Sequence, residues 1–170
     1  MTAPASEFVA LAILVAALLA AALSDIRRYL IPNRYPVAIV FAYLIYATGQ
    51  PLDQSLMGLA TGFVAFVLCA LLFAGGVIGG GDAKLLAATA LWAGPSLAPS
   101  FLIYTMLAGG VLALAWLSPF RHLMPAAPQR GEPEAETCAR SSGSRLRQPT
   151  PYGAAIAAGG LYVVALRAFN

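Results

Sequence analysis

Gly79-Gly80-Gly81-Asp82-Ala83-Lys84 sets a carboxylate directly after a glycine run, between two long apolar stretches. A second carboxylate, Asp25, closes the first apolar stretch in Ser24-Asp25-Ile26-Arg27-Arg28. These neighbours decide the fold, because apolar stretches of this length belong in a bilayer. An ionised side chain placed there costs roughly 2.5–3.5 kcal/mol on insertion scales, so an Asp at that depth is a functional candidate by default. With only seven acidic residues in the chain, two so placed suggest a carboxylate pair. The simplest chemistry for such a pair without a metal is hydrolysis in the manner of an aspartic protease.

Composition supports the membrane reading. Of 170 residues, 60% are hydrophobic and only 10% are charged, and mean hydropathy is +0.78. The expectation is an all-α, polytopic membrane bundle, one integral-membrane domain over residues 1–170. The net charge of +3 is no nucleic-acid signal: the arginines flank apolar segments, and no basic stripe is interleaved with aromatics. Cys69 lies in an apolar segment and Cys138 in a polar one, which argues against a disulfide framework. With His122 the sole histidine and no CxxC, a four-ligand Cys/His zinc site is out of reach, and no metal or other cofactor is expected. The first segment carries Glu7 before it and arginines after it, the wrong polarity for a cleaved secretory signal.

Six apolar segments can be drawn, at about 8–23, 36–47, 56–74, 82–93, 99–117 and 152–168. About six transmembrane helices are therefore expected. The second and fourth are short against the roughly 20 residues of a full span. The second helix is expected to start near Asn33, with Pro36 in its first turn. If the N-terminus is outside, every basic residue except Arg167 falls on the inner side. The positive-inside rule then places both termini out. Asp25 and Asp82 would share the cytoplasmic ends of their helices. The stretch 122–150, rich in Pro, Ser, Arg and Glu, is expected to be a flexible cytoplasmic loop. Gly58-x-x-x-Gly62 is a small-residue pattern that lets helices approach closely, read here as packing within the chain.

Each carboxylate also has a plainer reading. Asp25 could be a helix-end residue paired with Arg27, Arg28 or Arg34, although a negative charge at a helix C-terminus opposes the macrodipole. Asp82 could be an N-cap. That does not account for Gly75, Gly76, Gly79, Gly80 and Gly81 crowding into seven residues. Glycines there allow positive φ and close approach of a backbone, such as an extended substrate strand, to Asp82. Gly79, Gly80 and Gly81 are thus candidate substrate-binding residues. Lys84 is grouped with them, its plainer role being an anchor at the inner face. Asp53, in Gln50-Pro51-Leu52-Asp53-Gln54, reads as a solvated turn on the outer side.

Taken together, these elements resemble the small prepilin peptidases, the GxGD-type membrane aspartic proteases. Gly79-Gly80-Gly81-Asp82-Ala83-Lys84-Leu85-Leu86 resembles the family's GxGD element. Ser24-Asp25-Ile26-Arg27-Arg28 followed by Ile31-Pro32-Asn33 resembles its first aspartate element. Pro151-Tyr152-Gly153-Ala154-Ala155-Ile156-Ala157 resembles the entry to the last helix in the branch serving tight-adherence (Flp-type) pili.

The resemblance implies cleavage of the short basic leader of a prepilin or pseudopilin precursor at the cytoplasmic face of a bacterial inner membrane. Asp25 and Asp82 match the two catalytic aspartates. Pilus-assembly machinery is implied as a further partner, alongside the lipid bilayer. The cysteine-bearing region of the larger, methylating members has no counterpart, so N-methylation is not expected. The presenilin-like branch is disfavoured because no Pro-Ala-Leu element is present. The competing reading is a non-enzymatic transporter or assembly subunit whose aspartates bind cations.

Overall fold

The computed structural model describes residues 5–117 and 152–169. All the regular structure among them is helical: α1 (Ala5–Arg28), α2 (Arg34–Ala47), α3 (Leu52–Ala74), α4 (Gly80–Leu117) and α5 (Tyr152–Phe169). Three of these helices are long and apolar enough to cross a membrane, spanning Ser6–Arg28, Leu52–Ala74 and Gly80–Ala115. α2 and α5 are apolar but shorter. The loop expected at 122–150, with His122 and Cys138, lies outside the described residues.

The six apolar segments of the sequence map onto these five helices because the fourth and fifth join in α4. The join is not a straight helix. Gly94 takes φ 60°, ψ −179°, a conformation open to glycine and costly for other residues. Pro95 follows and sits in the first turn of the second arm, where its missing N–H does least harm. At 36 residues the apolar part of α4 would extend about 54 Å if straight, well beyond one hydrocarbon core.

Packing against α5 shows that the two arms of α4 run in opposite directions. A Cβ on Gly109 would strike Tyr152, and one on Gly159 would strike Phe101 and Thr105, so the second arm is antiparallel to α5. Gly160 lies against Thr89 and Arg167 donates to the Trp92 carbonyl at 2.8 Å, so the first arm runs parallel to α5.

Trp92, Tyr43, Phe101, Leu14, Leu18, Ile39 and Leu85 are fully buried at the centre of the bundle. The polar groups of Trp92 and Tyr43 are paired within this core, as burial demands. Trp92 Nε1 donates to the Ile39 carbonyl at 3.1 Å and the Tyr43 hydroxyl to the Ser55 carbonyl at 2.9 Å. Gly58 and Gly62 do pack within the chain: a Cβ on either would collide with Tyr43 or Leu91. Large apolar side chains such as Phe41, Phe63, Leu71 and Leu107 point outward. On a helical bundle of this composition such a surface faces lipid rather than water.

Candidate active site

α1 does not stop before Asp25, as the apolar segment ending at Leu23 would suggest. It continues through Arg28, with Arg27 and Arg28 in its last turn, where positive charge complements the helix dipole. The chain then turns at Tyr29, which has φ 50°; its N–H donates to the Asp25 carbonyl at 2.8 Å. Ser24 Oγ donates to the Leu30 carbonyl at 2.8 Å. This turn sends Ile31 back beneath the helix end. Asp25 is thereby buried, at 5% exposure, although its own helix end offers carbonyls rather than N–H donors. Its Oδ2 accepts a hydrogen bond at 2.7 Å from the Gly153 N–H, at the start of α5.

Asp82 lies in the first turn of α4 and is half-buried. It sits inside the helix rather than at the N-cap position, since α4 already begins at Gly80. The two carboxylates come from opposite ends of their own helices, yet reach the same end of the bundle. Ile31 links them: a Cβ on Gly81 would lie 3.1 Å from the Ile31 Cβ, and one on Gly153 would lie 2.6 Å from its Cδ1 and 2.8 Å from Asp25 Oδ2. Asp25 and the Gly81-Asp82 element thus lie on either side of Ile31.

The glycine run is put to three uses. Gly79 is exposed, with the Asp82 Oδ2 3.1 Å from where a Cβ would stand. Gly80 lies against the ring of Phe73 and Gly81 against Ile31. Positive φ is taken one turn earlier, by Gly76. Lys84 extends from the next turn and donates to Asn33 Oδ1 at 3.0 Å, tying the Asp82 helix to the start of α2. Both residues line one end of an otherwise apolar groove of about 660 Å³ between α2, α3 and α4, whose walls include Val37, Phe41, Phe66 and Leu91. Asp53 is exposed in the first turn of α3, at the other end of the bundle. No group of three or more His, Cys, Asp or Glu side chains gathers to hold a metal among the described residues.

The arrangement supplies two carboxylates, an exposed glycine edge beside one of them, and an apolar groove alongside. Two groups at this end were not signalled by side-chain chemistry: the Gly153 N–H on Asp25 and the Asn33 amide on Lys84. The glycine in Tyr152-Gly153-Ala154 was the available sign of close approach by α5.

Over residues 12–114 the chain matches the model of the type IV leader peptidase family. This match spans more than half of the chain and includes both aspartates. The chain belongs to the type IV leader peptidase family. Membership makes it a peptidase, and the apolar helices agree with the membrane setting of that family. No curated protein and no solved structure matches the chain.

Proposed function

We propose that this protein is a membrane aspartic endopeptidase that removes the basic leader from type IV prepilins, of the Flp or tight-adherence class. Asp25 and Asp82 carry the reaction. The observation that supports this reading is that they come from separate helices to one end of the bundle, with Ile31 packed against both aspartate elements.

Two close carboxylates do not both ionise easily, so they hold one proton between them and titrate as a unit. The ionised member takes a proton from water as that water attacks the scissile carbonyl. The protonated member donates to the carbonyl oxygen. The pair then delivers a proton to the leaving amine. The chemistry needs no metal and no methyl donor.

In this reading the chain makes six crossings, counting the two arms of α4 separately, with this end of the bundle at the cytoplasmic face. Arg27, Arg28, Arg34 and Lys84 stand at the same end, in keeping with the positive-inside rule. A prepilin joins a basic leader to an apolar helix, so its scissile bond lies at the membrane boundary, level with the aspartates. Gly79 leaves room for an extended backbone beside Asp82, and Lys84 borders the path. Pilus-assembly machinery is the natural recipient of the product.

The test is cleavage of a pilin-like precursor by the purified protein in liposomes, read by mass spectrometry of the released leader. Turnover is expected to survive stringent chelation. Complete loss on chelation, restored by one divalent ion, would overturn the two-aspartate mechanism. An inserted, folded protein that releases no leader from any basic-leader precursor would favour the transporter or assembly-subunit reading.

A further inference from the structure

The first turn of α5 lies beyond the residues matched by the family model, yet it holds the Asp25 carboxylate. Asp25 occupies the last turn of α1, where the helix end presents carbonyls and no free N–H. The donor comes instead from the start of α5, whose first N–H groups have no partner within their own helix. Gly153 N–H lies 2.7 Å from Oδ2.

The approach is possible only without a side chain at residue 153. A Cβ there would lie 2.8 Å from Oδ2 and 3.1 Å from Cγ of Asp25, and 2.6 Å from Cδ1 of Ile31. Gly153 is therefore fitted between the carboxylate and the side chain that links the two aspartate elements.

We propose that Gly153 is a positioning residue for the leader-peptidase reaction, its N–H fixing which oxygen of Asp25 does the chemistry. This rests on the two-aspartate reading above. An amide N–H only donates, so Oδ2 is engaged as an acceptor. The remaining oxygen, Oδ1, is the one left to share the proton with Asp82 and to meet the attacking water. Rotation of the carboxylate about its Cβ–Cγ bond would break this hydrogen bond. The α5 turn thus holds Asp25 in one orientation before substrate arrives, the kind of preorganisation on which carboxylate chemistry depends.

Two substitutions separate this role from simple space-filling. Gly153→Ala brings the new methyl group against both Asp25 and Ile31. Ile31→Val removes Cδ1 and relieves the second clash while leaving the first. Gly153→Ala is expected to lower kcat by about ten- to a hundredfold, since misplacement by about an ångström costs on that order, with KM changed by less than about twofold. In the double variant, thermal stability is expected to return toward that of Ile31→Val alone while kcat stays low. Recovery of kcat together with stability would overturn the proposal and make Gly153 a packing residue.

A backbone ester at residue 153, which deletes the N–H and adds no atoms, gives an independent reading. It is expected to depress kcat at unchanged KM, and wild-type kcat in that protein would also overturn the proposal. Asp25→Asn in the same assay tells the two levels apart. Full turnover there removes the two-aspartate reading and this proposal with it. An inactive Asp25→Asn beside a fully active ester protein removes the role of Gly153 alone.

Discussion

Asp25 and Asp82 differ in what surrounds them. Asp25 is enclosed and bonded to the α5 backbone, whereas Asp82 is partly open beside Gly79. If the reaction needs both, each Asn variant should lose at least about a hundredfold in turnover, the lower range for a positioned acid or base. Asn keeps the size and can still accept from the Gly153 N–H, so insertion and folding should survive. Asp53→Asn, at the far end, should leave turnover within about twofold of wild type. Leader release measured alongside a folding assay checks all three, and near-normal turnover in either of the first two would remove that residue from the mechanism. These aspartates were legible in the sequence because an acid beside a bilayer-length apolar run stands out against its surroundings. The Gly153 N–H was not, because a backbone donor has no letter of its own. Its direction depends on a helix entering the site from more than a hundred residues away.

α4 shows how a local sequence signal and its structural outcome can differ in form. Gly94-Pro95 marks an interruption, and the chain is indeed broken there. The sequence does not say that the broken arms fold back beside α5, because that depends on the glycines at 109, 159 and 160 accepting neighbours at close range. α1 likewise runs on past its apolar segment, because nothing in Ser24-Asp25 prevents helix. The stop comes at Tyr29, where the chain enters positive φ. The break in α4 is held from outside by Arg167. Its Nε donates to the Trp92 carbonyl at 2.8 Å, its guanidinium stacks 5.2 Å from the Tyr46 ring centre, and another of its nitrogens donates to the Tyr46 hydroxyl. Removing Arg167 would leave the Trp92 carbonyl unpaired where the helix cannot satisfy it. Arg167→Met should therefore lower stability by about 1–3 kcal/mol, read as a lower unfolding midpoint in detergent. Turnover per folded molecule should change by less than about twofold, because the aspartates lie at the opposite end. A stable but inactive Arg167→Met protein would mean that the break communicates with the site.

The whole bundle sorts its charge by end. Arg27, Arg28, Arg34 and Lys84 accompany the two aspartates. Arg167 stands at the other end and is tied to the Trp92 carbonyl and the Tyr46 hydroxyl. The sequence carried this asymmetry as a count of residues on alternate sides of apolar segments. What it could not carry was whether short segments such as α2 would keep their polar flanks level with those of their neighbours. The Lys84–Asn33 hydrogen bond levels the start of α2 with the start of α4, and Gly153 levels α5 with the end of α1. By the positive-inside rule, an end so supplied with cations is expected on the cytoplasmic side. The prediction is that in intact cells a cysteine at position 28 is shielded from an impermeant thiol reagent added outside, and one at position 54, in the first turn of α3, is modified. Both are made in a background without Cys69 and Cys138. After permeabilisation both should react. Arg28 and Gln54 are exposed in the bundle, so protection of either reflects the membrane rather than burial. Labelling at 28 but not 54 in intact cells would invert the orientation. It would place the aspartates on the outer face, where the basic leader of a newly made precursor does not reside.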